Sequence, residues 1–246
     1  MRLIVASAVL AALLIPAAAA GQAAAAKKDE PPGTEGSAEI GYVSTTGNSP
    51  TRSFSLGGDL VNRPAPWLLE TKARFIRNED DEAVTAQSFT GLFRASRKLN
   101  DRVSAFGQYD YLRDTFAGVE HRNTTTGGLS YLVVDASPHT LRAAAGAGYI
   151  NEQRVGVEDL STGSANLGLA YAWAISETAK LTDDFRADYG FAEGAGSRVE
   201  QVAALTASLT KLFSLKLSNT VRWASDPVPG FEATDTITAI AFVAKF

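Results

Sequence analysis

From residue 37 to the C-terminus, apolar and polar residues alternate with a period of two, the pattern of β-strands whose two faces meet different surroundings. In residues 69–75 one row carries Leu69, Ala73 and Phe75, and the other Glu70, Lys72 and Arg74. In residues 181–191, Leu181, Phe185, Ala187, Tyr189 and Phe191 oppose Thr182, Asp184, Arg186 and Asp188. In residues 215–223, Leu215, Leu217, Val221 and Trp223 oppose Lys216, Ser218, Thr220 and Arg222. Residues 166–175 set a bulky row (Leu167, Leu169, Tyr171, Trp173, Ile175) against a small one (Gly168, Ala170, Ala172, Ala174).

Two interleaved sets of turn signals punctuate this alternation. One lies at Gly47-Asn48, Glu79-Asp80-Asp81, Phe116-Ala117-Gly118, Gly156, Gly194-Ala195-Gly196 and Pro227-Val228-Pro229-Gly230. The other lies at Pro64-Ala65-Pro66, Asn100-Asp101, Ser137-Pro138, Ser176-Glu177 and Lys211-Leu212-Phe213. Members of one set recur about every 32–40 residues, two strands plus two connections, which predicts about twelve strands of roughly 10–14 residues. The fold class is therefore all-β, antiparallel and up-and-down.

Alternation by itself fits a soluble sandwich, apolar inside, or a membrane barrel, apolar outside. Three features select the barrel. The strands are long for a sandwich, where about 5–6 residues is usual. Aromatic residues fall toward strand ends, at Tyr42, Trp67, Tyr109, Tyr111, Trp173, Tyr189 and Trp223, as interfacial girdles require. The last strand alternates and ends on an aromatic, with Ile240, Phe242 and Phe246 forming an apolar row opposite Lys245; it resembles the C-terminal signal by which bacterial barrels are recognised for assembly. An even strand number puts both termini on one side, here expected to be periplasmic, so the Gly47 set of connections faces outward. A closed barrel leaves no unpaired backbone in lipid.

The N-terminus fits an exported chain. Arg2 precedes an apolar run from Leu3 to Ile15, then Pro16 and alanines with candidate cleavage sites at Ala18-Ala19-Ala20 and Gly21-Gln22-Ala23. The expected organisation is a signal peptide over 1–23, a flexible periplasmic tether over 24–36, and an outer-membrane barrel over 37–246. No internal run approaches the roughly 18 apolar residues of a spanning helix. The 246 residues contain no Cys, which excludes thiol catalysis, disulfides and a cysteine lipid anchor. A net charge of -4 leaves no basic footprint for nucleic acid.

Candidate chemistry is sparse. His121 and His139 fall at opposite ends of the predicted barrel and cannot share a metal or a relay. A membrane-embedded hydrolase would need Ser, His and Asn mutually hydrogen-bonded; His121, Asn123 and Ser88 or Ser130 are the residues available, and their spacing does not bring them together. The acidic run Glu79-Asp80-Asp81-Glu82 and the pair Glu158-Asp159 lack the spaced ligands and glycine of a calcium loop and read as solvated loops. No catalytic residue, metal site or cofactor is assigned.

The row opposite the apolar face is the informative one. It includes Glu39, Asp59, Glu70, Lys72, Arg74, Arg94, Asp110, Arg142, Asp184, Arg186, Asp188, Glu200, Lys216 and Arg222, with both signs in similar number. A lumen of about twelve strands is wider than a side-chain-filled barrel of 8 and narrower than a porin of about 16–18. Its charges either pair and close the lumen or line a narrow polar channel. The expected lumen and constriction residues are Glu70, Lys72, Arg74, Arg94, Asp110, Arg142, Asp184, Arg186, Asp188 and Arg222.

Several segments together resemble a known family. They are 39–42 (Glu39-Ile40-Gly41-Tyr42) with the turn Thr46-Gly47-Asn48-Ser49, Phe106-Gly107-Gln108-Tyr109, Ala147-Gly148-Tyr149, Ser176-Glu177-Thr178, Leu215-Lys216-Leu217-Ser218, and a last hairpin with Pro229-Gly230 and Thr234-Asp235-Thr236. This ordered set, spanning 37–246, resembles the salt-induced outer-membrane protein family, a bacterial β-barrel domain of unknown function. The resemblance implies an outer-membrane barrel without established catalytic residues, whose partners are outer-membrane lipids, lipopolysaccharide and the barrel assembly machinery. The expected function is non-enzymatic, a structural or envelope role linked to salt or osmotic stress, with a narrow channel for small polar solutes as the alternative and a hydrolase third.

Overall fold

The computed structural model describes the backbone of residues 33–46, 52–80 and 83–246, and their side chains outside 42–53 and 78–86. The expected signal peptide, the loop at Gly47-Asn48 and the side chains of Tyr42 and of the acidic run at 79–82 lie outside this set.

Alternation produces twelve antiparallel strands: β1 (Thr34–Thr46), β2 (Arg52–Asn62), β3 (Trp67–Asp80), β4 (Ala83–Lys98), β5 (Val103–Asp114), β6 (Val119–Ala136), β7 (His139–Arg154), β8 (Leu160–Ala174), β9 (Ala179–Gly190), β10 (Ser197–Ser208), β11 (Phe213–Ala224) and β12 (Thr234–Lys245). Each pairs with its chain neighbours, and β12 pairs with β1, so the sheet is a closed barrel without an edge. The seam joins Ser37 to Lys245 and Thr46 to Thr236. It ends in a reciprocal backbone pair between Gly36 and Phe246, both bonds 2.9 Å. Residues 34–36, which composition places in the tether, are already in the ladder opposite 60–62.

The nine connections within the described residues fall at the expected turn signals, alternating between a base, where both ends of the barrel's ladder lie, and a mouth at the other end. The base turns use local side-chain capping. The Asn100 side-chain oxygen accepts from the N–H groups of Arg102 (2.9 Å) and Val103 (2.8 Å). Ser176 Oγ accepts from Thr178 (3.3 Å) and Ala179 (3.0 Å), and Thr210 Oγ1 from Leu212 (3.2 Å) and Phe213 (3.0 Å). One short polar residue thus satisfies two turn N–H groups in each case.

Four strands exceed the expected 10–14 residues: β4 and β7 have 16, β8 has 15 and β6 has 18. The ladder of β6 to β8 continues toward the mouth past the apolar band, where outward residues are polar. Asn123 there accepts from the Tyr109 hydroxyl (2.6 Å), and Asn151 donates to Ser161 Oγ (2.9 Å).

The apolar rows face outward. Leu167 is 61 % exposed, and Leu169, Leu205, Leu215, Leu217, Ile240 and Phe242 are also exposed, while the inward rows carry the charges. That is the inverse of a sandwich core, and it is the arrangement a lipid surround requires. The few polar residues on the outer rows pair with one another: Gln201 donates to both oxygens of Asp183 (3.0 and 3.1 Å), and Asn219 to Thr238 (3.0 Å). Of the aromatic residues near strand ends, Trp67, Tyr109, Tyr189 and Trp223 are exposed. Among the described residues no helix is long and apolar enough to cross a membrane.

Candidate functional site

Period-two geometry sends every second side chain inward, and all ten lumen residues expected from the sequence line one interior cavity of about 1790 Å³. They divide into two groups. Arg74, Asp110, Arg186, Asp188 and Arg222 are locked in ion-pair networks. Glu70, Lys72, Arg94, Arg142 and Asp184 sit around open space toward the base.

The locked charges do three things. Near the seam, Lys216 Nζ meets Glu39 (3.0 Å), Arg74 meets the same carboxylate (3.5 Å), and Arg74 also meets Asp59 (2.9 Å). This chain ties β11, β1, β3 and β2 together across the closure. At mid-height Arg186 on β9 reaches Asp110 on β5 at 2.7 Å and Asp188 at 3.1 Å. Because β6, β7 and β8 lie between β5 and β9 in the wall, this bond crosses the lumen. Asn166 donates to Asp188 and Gln108 to Asp110, so both ends of the crossbar are held. Toward the mouth Arg222 on β11 binds Glu200 (2.7 Å) and extends to Asp114 on β5 (3.8 Å). Since β5 and β11 are six positions apart in a ring of twelve, this second crossbar spans opposite walls.

Sequence reasoning missed the cluster beside it. The Glu152 side chain is 0 % exposed and binds three guanidinium groups: Arg122, Arg154 (2.6 Å) and Arg198 (2.9 Å). A fully buried carboxylate survives only with such partners. Arg122 and Glu152 fall in phase with the inward rows of β6 and β7, a signal present in the alternation. Their mutual contact was not, because it depends on how the barrel closes.

Above these charges the mouth is packed. Val119, Ile150, Leu160, Ala195 and Val228 are buried. Between β5 and β6 a single 3-10 turn (Thr115–Ala117) is capped by Asp114, whose carboxylate accepts from Ala117 N–H (3.2 Å), and it ends on Gly118 with φ 77°. A Cβ at Gly118 would stand 2.8 Å from Val228 Cβ and 2.9 Å from the Phe231 ring. The β11–β12 loop therefore folds across onto the opposite connection, and only a glycine there allows so close an approach. The interior of β6 to β8 is correspondingly packed, with Thr124, Thr126, Ser164 and Asn166 all buried.

The base half is the reverse. Lys72, Arg142, Ala170, Ala174, Lys180 and Asp184 line the cavity and are exposed to it. Among the described residues the lumen is thus crossed by ion pairs and packed over β5 to β8 toward the mouth, and lined by exposed charges toward the base.

The remaining candidates assemble no chemistry. His121 points outward and shares a 2.7 Å hydrogen bond with Tyr111, whereas Ser88 and Ser130 face the lumen, so a Ser-His-Asn arrangement does not form. His139, at the base, shares a 2.8 Å bond with Tyr171 and packs on Trp173 (5.7 Å). Both histidines extend the outer aromatic belts. No group of three potential metal ligands occurs among the described residues. On the last strand Ile240 and Phe242 face outward, Phe242 stacks on Phe213 (5.2 Å), and Lys245 turns to Ser208 (3.4 Å).

Comparison with known proteins agrees with this architecture. The uncharacterized protein YdiY of Escherichia coli (strain K12) is 26% identical over 200 residues, covering 78% of this chain and 75% of YdiY. Among solved structures, the NanC porin superposes with a TM-score of 0.56 at 9% identity, over 84% of this chain and 98% of that one. The COG4313 outer membrane channel from Pseudomonas putida F1 gives 0.52 at 11% identity, over 92% of this chain and 100% of that one. These two likenesses show the barrel fold. A family model matches residues 38–246, nearly the whole barrel, and the chain therefore belongs to the family described as "Protein of unknown function, DUF481".

Proposed function

We propose that this chain is exported, inserts in the bacterial outer membrane with both termini periplasmic, and serves there as a non-enzymatic envelope barrel whose lumen is closed at its extracellular mouth. The observation that carries the reading is the pair of crossbars, Arg186–Asp110 and Arg222–Asp114, beneath the loop packed over Gly118. An apolar outer wall and closed sheet supply the membrane fit. The outward row of Ile240, Phe242 and Phe246 on the closing strand supplies the surface for the assembly machinery and lipid, and the mouth lies among lipopolysaccharide head groups. Membrane fractionation with heat-modifiable gel migration tests the location; a soluble protein lacking that shift overturns it. Planar-bilayer recording tests the closure. The wild type is expected to give no steady conductance steps, and a variant that joins Asp110→Asn/Arg186→Gln and Arg222→Gln to deletion of residues 227–231 to give them. Frequent open steps in the wild type would refute a closed lumen.

A second reading, a narrow channel for small polar solutes, is favoured by the charged cavity and by the fold shared with a porin and an outer membrane channel. It requires the mouth loop to move, and the same recordings decide between the two. A role under salt or osmotic stress is tested by growth of a deletion strain at high salt, where unimpaired growth rejects it.

A further inference from the structure

The geometry points to a binding site for a small oxyanion, a carboxylate or phosphate, in the open base half of the lumen between Arg142 and Arg94. It goes beyond the closed-barrel reading, which needs no ligand.

The inward arginines Arg74, Arg122, Arg154, Arg186, Arg198 and Arg222 each contact a carboxylate within the ion-pair distances given above. Arg142 differs. Among the described residues it makes no ion pair or hydrogen bond, although it lines the cavity and is exposed to it. Asp135 on the adjoining β6 and Asp184 on β9 line the same cavity, and neither comes within ion-pair distance of it. Arg94, projecting from β4, lines the same cavity. Arg94 itself is only lightly neutralised: Glu70 stands at 4.0 Å, and its other contacts are Gln108 (3.1 Å), Ser96 (3.3 Å) and the Phe106 ring (3.8 Å). Two guanidinium groups therefore line one space in which, among the described residues, Glu70 reaches only Arg94, at 4.0 Å, and no carboxylate reaches Arg142.

The wall beside Arg142 leaves room for an occupant. Arg142 pairs in register with Ala170 on β8, and Ala170 with Asp184 on β9. The inward positions around it are Ala144, Gly168 and Ala170, and a Cβ at Gly168 would meet nothing closer than 3.7 Å. A guanidinium fork matches the geometry of a carboxylate or phosphate and binds it by two parallel N–H bonds. The opening toward the base gives the ligand a path in, and Lys72 and Lys180, which line the same cavity, add positive charge.

The test is isothermal titration of the folded barrel in detergent at low ionic strength, with inorganic phosphate in one arm and succinate in the other. Binding in either arm is expected, weakening as NaCl screens the charges, and the arm that binds tighter identifies the oxyanion. Arg142→Gln is expected to weaken it at least tenfold, the scale of a lost charge-assisted hydrogen bond. Ala170→Leu, which fills the wall without touching charge, is expected to weaken it as well. Lys98→Gln, at the rim of the same cavity, is expected to leave it unchanged, and unaltered heat-modifiable migration confirms that each variant is folded. No binding of either anion to the wild type, undiminished binding in Arg142→Gln, or an equal loss in Lys98→Gln would overturn the site. None of these outcomes bears on conductance, so the closed-lumen reading stands or falls separately.

Discussion

Replacing Glu152 by Gln removes the carboxylate that the three guanidinium groups of Arg122, Arg154 and Arg198 share. Their side chains are 8%, 12% and 21% exposed, so water cannot take over the carboxylate's part. Breaking a buried pair while leaving its partner charged costs about 3–5 kcal/mol. The folded-to-unfolded ratio should therefore fall roughly 150- to 5,000-fold, at 1.36 kcal/mol per decade. A comparison pair lies in the same barrel. Glu200, bound to Arg222, has a side chain 43% exposed, and Glu200→Gln should lose no more than about 1 kcal/mol. Urea unfolding in lipid vesicles, followed by tryptophan fluorescence and by heat-modifiable migration, measures both. The midpoint should drop sharply for Glu152→Gln with the slope unchanged. Replacing Glu152, Arg122, Arg154 and Arg198 together by leucine should recover most of the loss, since none of the four charges then remains buried there. A loss below about 1 kcal/mol for Glu152→Gln, or an equal loss for Glu200→Gln, would refute the claim that Glu152 holds three guanidinium groups that water cannot compensate.

Two further outcomes follow from the wall. At Gly148 a Cβ would stand 2.3 Å from the Thr125 carbonyl oxygen, so Gly148→Val forces β6 and β7 apart and should destabilise the barrel by about 1–3 kcal/mol, whereas Gly107→Ala, with nothing within 4 Å, should fall within about 0.5 kcal/mol of wild type in the same unfolding assay. Trp67, Trp173 and Trp223 lie on outward rows near strand ends, so phospholipids brominated near the head group should quench their fluorescence more than those brominated at the chain ends. Absence of quenching, or a maximum at the bilayer centre, would contradict the membrane placement.

The strands, their faces and their turns were legible in the chain because each is a local property. Pleating fixes which residues share a face, so the alternation through 69–75 or 181–191 states the inward row directly. A turn capped by Asn100 or Ser176 is closed by atoms two and three residues away. Even the closing strand was readable, since Ile240, Phe242 and Phe246 can face outward only if Lys245 turns in. The extra length of β6 to β8 was less visible, because outward residues there are polar and alternation loses contrast once the wall leaves the apolar band.

The contacts inside the barrel were decided elsewhere. Both signs of charge on the inward row are a sequence fact; that Arg186 meets Asp110, that Arg222 spans to Asp114, and that Arg142 meets no carboxylate among the described residues are not. Each depends on the stagger at which twelve strands close and on the chord a long side chain can span, and residues remote in the chain share a height only after closure. The loop over Gly118 is of the same kind: glycine and proline mark a turn, and the ring determines which wall that turn can touch. The sequence by itself thus determined a closed cylinder with an apolar outside and a charged inside, through the period of the pleat. Only the tertiary structure decided which of those charges cross the lumen toward its mouth and which line the space toward its base.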